Sequence, residues 1–305
     1  MRRGSSPKFR YWLRLALFFG ATLAVALAIL PALFGALTTL GLLYAPCSPA
    51  AATPADFGLN AEPVTIATGA GGAFAGYFIP GSNGATVLMP PPFTSNRSVR
   101  LPEAALLARR GYAVLTFESR RCAGMGPLSL GASEVREVTA ALDYLSARPE
   151  VDSTRIGIHG FSSAGATAIL AAAADSRLRA VVAEGGYSDF MAGAVGYGDP
   201  ARPFSVYFMA LYRAAMRATY RLVTGASIDN LRPVAEIGRI APRPVLLIYG
   251  SREPSLAGGR QQVAAAGPSA QLWVVEGASH GDYMQVAPAE YERRLVEFFD
   301  AALLR

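Results

Sequence analysis

Between residues 85 and 277, short apolar runs alternate with stretches of helical period, and no other feature narrows the fold as much. The runs are ATVLMP (85–90), YAVLTFE (112–118), RIGIHG (155–160), RAVVAEGG (179–186), PVLLIYG (244–250) and QLWVVEG (271–277). They are mostly continuous in hydrophobicity rather than alternating, which suits strands covered on both faces. Between them, LPEAALLARRG has a proline in its first turn and a glycine at its end, an ordinary helix start and stop. In SEVREVTAALDYLSA, Val135, Val138, Leu142 and Leu145 recur at steps of 3, 4 and 3, a buried stripe. The C-terminal YERRLVEFFDAALL sets Tyr291, Leu295 and Phe298 on one face. This order predicts an α/β fold with a doubly wound, mostly parallel sheet and right-handed crossovers. Ahead of it, EPVTIAT and AFAGYFIP around GAGG predict a β-hairpin.

The rhythm breaks at about 187–240, which predicts a helical cap insertion. PFSVYFMALYRAAMRATYRLVTG reads as one long helix with Phe204, Tyr207, Phe208, Leu211 and Met216 roughly on one side. Arg213, Arg217 and Arg221, four apart, are expected on another side as a solvated stripe; the sharper alternative is a basic helix resting on an anionic membrane surface. The aromatic residues Tyr197, Phe204, Tyr207, Phe208, Tyr212 and Tyr220 are expected to favour an apolar acyl or aromatic substrate group.

From Leu15 to Tyr44 there is no charged residue, a run of 30 broken only by Pro31. About 20 apolar residues cross a bilayer, so this run is long enough for one span and too short for two. Five of the 28 basic residues (Arg2, Arg3, Lys8, Arg10 and Arg14) precede it, and the 23 that follow nearly balance the 22 acidic ones. The formal charge of +6 therefore reads as a topology signal, with a cytoplasmic N-terminus and an extracytoplasmic body, and not as a nucleic-acid surface. A cleaved signal peptide is the rival, though its apolar region is usually about 7–15 residues. The expected organisation is a basic N-terminus (1–14), a transmembrane anchor (15–45), a linker (46–58) and one α/β domain (59–305) that carries the cap insertion at about 187–240. The two cysteines, Cys47 and Cys122, are expected to be free thiols, since a core of this size needs no staple.

The chemistry centres on IGIHGFSSAG (156–165). A sharp strand-to-helix turn holds a serine exposed only if the residues two before and two after are small. Ser162 has Gly160 and Ala164 there, whereas Ser163 would have Phe161. Ser162 is thus the expected nucleophile, with the Ser163 N–H at a helix N-terminus to meet a developing oxyanion. A serine needs a base, and the chain has two histidines. His159 lies within a strand and is expected to be a core residue. His280, in the loop GASHGDY after the last strand run, is the expected base. A carboxylate should orient it. Glu253, just past PVLLIYG, is the first choice; Asp229 and Asp282 are the fallbacks. With no cysteine–histidine cluster and no dinucleotide GxGxxG, no metal and no organic cofactor are expected.

From Thr53 onward, the stretches TPADFGL, LPEAALLARRGYAVLTFESR, RPEVDSTRIGIHGFSSAGATAIL, IAPRPVLLIYG and GASHGDY resemble the α/β-hydrolase superfamily. Within it the chain is similar to membrane-anchored serine hydrolases of the dienelactone hydrolase and prolyl-oligopeptidase-like branches. The resemblance implies the α/β-hydrolase fold, ester or amide chemistry and the order Ser–acid–His, matching Ser162, Glu253 and His280. The chain departs from that pattern in four places. MPPPFT stands where His-Gly is usual, so the second oxyanion donor falls to the N–H of Phe93 or Thr94, because Pro92 has none. The elbow reads GxSxA, the acid is Glu rather than Asp, and Cys122 replaces a histidine. The expectation is a membrane-anchored serine hydrolase acting on a small-molecule or peptide ester, thioester or amide. The alternative is a catalytically silent membrane-bound binding or scaffolding module. The expected partners are an acyl substrate and the lipid bilayer, with no nucleic acid; oligomeric state is open.

Overall fold

The computed structural model describes residues 7–69, 71–196, 199 and 201–305. Helix α1 (Pro7–Leu43) continues through Pro31. Strands β1 (Glu62–Ala67) and β2 (Ala73–Ile79) form the expected antiparallel hairpin. Then come β3 (Thr86–Met89), α2 (Leu101–Arg109), β4 (Ala113–Phe117), α3 (Ala132–Ser146), β5 (Ile156–Phe161), α4 (Ser163–Ala174) and β6 (Leu178–Glu184). The insertion carries α5 (Pro203–Thr224) and the single-turn α6 (Pro233–Glu236). The chain resumes with β7 (Val245–Gly250), α7 (Leu256–Ala266), β8 (Ala270–Val275), the single-turn α8 (Tyr283–Val286) and α9 (Pro288–Leu303).

Among the described residues the strands form one eight-stranded sheet in the order β1-β2-β4-β3-β5-β6-β7-β8. Only β2 runs antiparallel to both its neighbours; β4, β3, β5, β6, β7 and β8 are mutually parallel. The fold is the doubly wound α/β-hydrolase sheet. Successive side chains of a strand point to opposite faces, so each central strand feeds two cores. On β6, Val181 and Ala183 join α3, α4 and α7, while Ala180 and Val182 join α2 and α9. Gly157 lets α9 close on β5, since a Cβ there would lie 2.7 Å from the Phe299 ring. In α9 the buried stripe is Tyr291, Leu295 and Phe299, not the expected Phe298, which is half-buried. Steps of four place Phe299, not Phe298, above Leu295.

α1 is a candidate single membrane span. Up to Leu30 it is almost wholly exposed, and beyond that it packs along α5 through Pro31, Gly35, Thr39 and Leu43, buried at steps of four. At Gly35 the two backbones nearly touch: a Cβ would lie 2.3 Å from the Tyr212 carbonyl oxygen.

Two expectations are corrected. Cys47 and Cys122 are not free but form a disulfide, with Cα atoms 4.9 Å apart. The segment leaving α1 is pinned beside the loops after β3 and β4: Ser48 N–H donates to the Thr94 carbonyl at 2.9 Å and Arg121 Nε to the Ala45 carbonyl at 3.1 Å. Nor do the three arginines of α5 form one solvated stripe. Arg213 is buried, donating to the Met191 carbonyl and, at 2.6 Å, to the Gly196 carbonyl. Arg217 pairs with Asp229 at 2.8 Å, and Arg221 is exposed.

Candidate active site

β5, β6 and β7 are adjacent and parallel, so the loops at their C-terminal ends converge on one edge of the sheet. The turn after β5 holds Ser162 at φ 56°, ψ −124°, the left-handed half of backbone space that side chains avoid. What holds it there is contact. Ser162 N–H donates to the Glu184 carbonyl at 2.7 Å. A Cβ on Gly160 would lie 2.1 Å from the Ala164 carbonyl, so the strand and the first turn of α4 meet only because that position is bare. Ser162, not Ser163, is the apex.

Glu253, in the turn after β7, is buried. His280, between β8 and α8, donates from Nδ1 to Glu253 Oε1 at 2.6 Å, and its Nε2 lies 3.0 Å from Ser162 Oγ. With Nδ1 occupied by the carboxylate, Nε2 is left to accept the serine proton. Glu253 Oε2 takes the Gly250 N–H at 2.5 Å and the Tyr283 hydroxyl at 2.7 Å. Burial favours the neutral acid, but the bonds from His280, Gly250 and Tyr283 outweigh it and hold the carboxyl below its ordinary value. Burial, and then the Glu253 carboxylate, push the Tyr283 hydroxyl far upward, so it remains a donor.

Three more residues shape the site without having been legible as site residues. Phe161 stacks on His280, with ring centroids 4.9 Å apart. Gly185, at φ 58°, leaves room for the imidazole: a Cβ there would lie 2.8 Å from it and 2.5 Å from the Tyr283 hydroxyl. Tyr283 is the third. Their signals were faint, being a large residue beside the elbow, a glycine pair ending a strand run, and a tyrosine three positions past the histidine.

The remaining candidates fall elsewhere. Asp229 is engaged by Arg217, and Asp282 accepts the Ser279 N–H at 2.7 Å. His159 is a core residue, as expected: Nε2 lies 2.8 Å from Glu184 Oε1 and 3.2 Å from Arg100. Burial would raise the Glu184 carboxyl, but His159 and Arg100, helped by Tyr291, bring it down to about 2. Ser163 opens α4, and Phe93 sits in the proline loop after β3 at φ 44°. The Phe93 N–H does not face open space; it donates to Ser163 Oγ at 2.7 Å.

Ser162, Ser163 and His280 open onto a cavity of about 570 Å³ whose apolar wall includes Leu42, Phe93, Leu130, Tyr187 and Phe190. The expected cap aromatics do not line it. Tyr220 is buried against the Ser129 carbonyl, Phe208 and Tyr212 face α1, Phe204 and Tyr207 are exposed, and Tyr197 lies outside the described residues. Phe208 and Tyr212 of α5 turn toward α1, and the cavity is lined instead by Phe190, Ala192 and Gly193 of the short helical turn at 190–195.

Residues 77–235 match the family model of X-Pro dipeptidyl-peptidase (S15 family). The chain belongs to that family. The matched stretch holds Ser162 and ends before Glu253 and His280. As a member of this family the chain is a hydrolase of the α/β-hydrolase superfamily. It is 27% identical over 252 residues to the uncharacterized protein PA2218 of Pseudomonas aeruginosa, covering 66% of this chain and 68% of that protein. A shorter stretch of 106 residues is 30% identical to thiohydrolase aneE of Aspergillus aculeatus, 33% of each chain. Among solved structures, the esterase Pf2001 of Pyrococcus furiosus superposes with a TM-score of 0.64 at 25% identity, over 85% of this chain and 99% of that one.

Proposed function

We propose that this family member is a membrane-anchored serine esterase with Ser162 as nucleophile, His280 as general base and Glu253 as the group that orients it. The observation that carries the reading is the unbroken relay from the Ser162 hydroxyl through His280 to the buried Glu253, at the mouth of a cavity. Ser162 Oγ attacks the ester carbonyl carbon while His280 Nε2 takes its proton, and Glu253 stabilises the imidazolium. The Ser163 N–H meets the oxyanion, joined by Phe93 N–H once the Ser163 hydroxyl rotates away. Collapse of the tetrahedral intermediate expels the alkoxide, which leaves with the His280 proton, and water then hydrolyses the acyl-enzyme by the same relay.

An ester fits better than a peptide amide. Recognition of a peptide amino terminus calls for a free carboxylate in the cavity. Among the described lining residues the carboxylates are Glu253, committed to His280, and Asp189, paired with Arg232 at 2.8 Å. The extracytoplasmic orientation rests on the basic residues before α1 and on the Cys47–Cys122 disulfide, a bond that persists in oxidising compartments.

A fluorophosphonate probe tests the reading. It labels the wild type and not Ser162→Ala, and the two proteins differ in the same way in hydrolysis of p-nitrophenyl acetate. A folded wild type that neither labels nor hydrolyses returns the chain to the silent binding module, the second reading, which is favoured by the Phe93 N–H being tied to Ser163.

A further inference from the structure

The active-site cavity is not the only space that reaches α1. A second cavity, of about 430 Å³, lies between α1 and α5, walled by Phe34, Thr38, Leu42, Phe208, Met209 and Phe190 among others. Leu42 and Phe190 also line the active-site cavity, so the two spaces share that wall. Among its described lining residues, Thr38 and Tyr212 bring the only polar side-chain atoms, and the others present hydrocarbon, aromatic ring or thioether.

Its height relative to a bilayer follows from α1. Phe34 lies 20 residues beyond Arg14. At about 1.5 Å per residue this is about 30 Å, the thickness of a hydrocarbon core. Phe34 therefore stands where hydrocarbon gives way to headgroups. There it meets Tyr212 at 5.6 Å and Phe208 at 6.4 Å between ring centroids, an aromatic cluster of the kind found at that depth. Phe204, Val206 and Tyr207, at the head of α5, are exposed although apolar or aromatic, and Arg202 just before them is exposed and paired with Asp199, with a side chain long enough to reach headgroups. From Phe34 the cavity rises along α1 to Leu42, about 12 Å further, where the wall of the active-site cavity begins.

We propose that the substrate is a bilayer-resident ester whose long acyl chain enters sideways, between α1 and α5, and passes Leu42 and Phe190 to Ser162 without leaving an apolar environment. The inference rests on the esterase reading and narrows it to a substrate class. It explains why the insertion packs on the candidate span: α1 is at once the anchor and one wall of the substrate path. Extracting a long chain into water would cost about 0.8 kcal/mol per methylene, and a lateral path avoids that cost.

The full chain, reconstituted in phosphatidylcholine vesicles, is offered p-nitrophenyl palmitate in the bilayer and p-nitrophenyl acetate in water. Thr38→Trp and Met209→Trp fill the lower cavity, at positions that do not line the active-site cavity. Each should lower the ratio of palmitoyl to acetyl kcat/KM by about tenfold or more, while fluorophosphonate labelling reports that Ser162 is still armed. Should one variant fail to label, the other carries the comparison, and the wild type must in any case turn over the palmitoyl ester. A wild type that hydrolyses only the acetyl ester overturns the lateral path and leaves the esterase standing. So does an unchanged ratio in a labelled variant. Loss of both activities in the wild type, with no labelling, overturns the esterase itself.

Discussion

At the scale of single residues, the site depends as much on missing side chains as on present ones. Gly185→Ala would place a methyl 2.8 Å from the His280 ring and force a β-carbon into φ 58°. A displacement of about 1 Å in a general base costs about 10² in rate, so kcat for a short ester should fall by that much with KM little changed. The hydroxyl at 163 works in the opposite sense. In the resting state it takes the Phe93 N–H, the donor that the oxyanion of the proposed reaction would use. Ser163→Ala leaves the backbone N–H of 163 in place and frees Phe93. Stability should drop by about 1 kcal/mol for the unpaired amide while kcat rises a few-fold, read by urea unfolding and by single-turnover acylation. Ser162, His280 and Glu253 were legible because each follows a strand run and chain order placed them. Gly185 and Phe161 were not, because their roles come from a ring contributed about 100 residues away.

At the scale of elements, most strands and helices could be read because hydrophobic period is a local property. Neighbours across space could not. Steps of four residues advance a helix by about 40° beyond a full turn, so Arg213, Arg217 and Arg221 fan across about 80°. That spread is enough to carry Arg213 onto the carbonyls of Met191 and Gly196 while Arg221 stays in solvent, and residue spacing alone does not reveal it. Glu137 on α3 is a similar case, a charged residue buried beside the stripe that was predicted. Burial, and then Glu134, raise its carboxyl to about 8, although Arg120 sits 3.5 Å away and opposes the shift. Unfolded, it would ionise near 4.3. The folded state therefore holds the extra proton between those values, and stability contributed below about pH 4 is lost as pH rises toward 8. Glu137→Gln has no such proton to lose. Relative to wild type it should gain about 1.4 kcal/mol for each pH unit across that window and level off above it, as measured by urea midpoints from pH 5 to 9.

At the scale of the whole molecule, the disulfide decides how α1 and the body behave together. Free thiols were the expectation because a core of this size needs no staple; with 75 residues between Cys47 and Cys122, the pairing is visible only once the loop after β4 and the exit of α1 lie side by side. Closing a loop of that length limits the unfolded chain by about 4.5 kcal/mol in the loop-entropy account. The staple sits four residues past the end of α1, so it holds the upper half of α1 against the insertion as well as tightening the body. Cys47→Ser with Cys122→Ser should lower the urea midpoint by an amount within that limit. Reductant should bring the wild type to the same midpoint while leaving the double variant unmoved. The loss should also reach the wall shared by the two cavities, because Leu42 lies just before the staple. Hydrolysis of a bilayer-embedded ester is then expected to fall further than that of acetate. The same pair reports orientation. In cells, a thiol-reactive polyethylene glycol should shift the wild type only after reduction; a shift without reductant would place the body on the reducing side of the membrane.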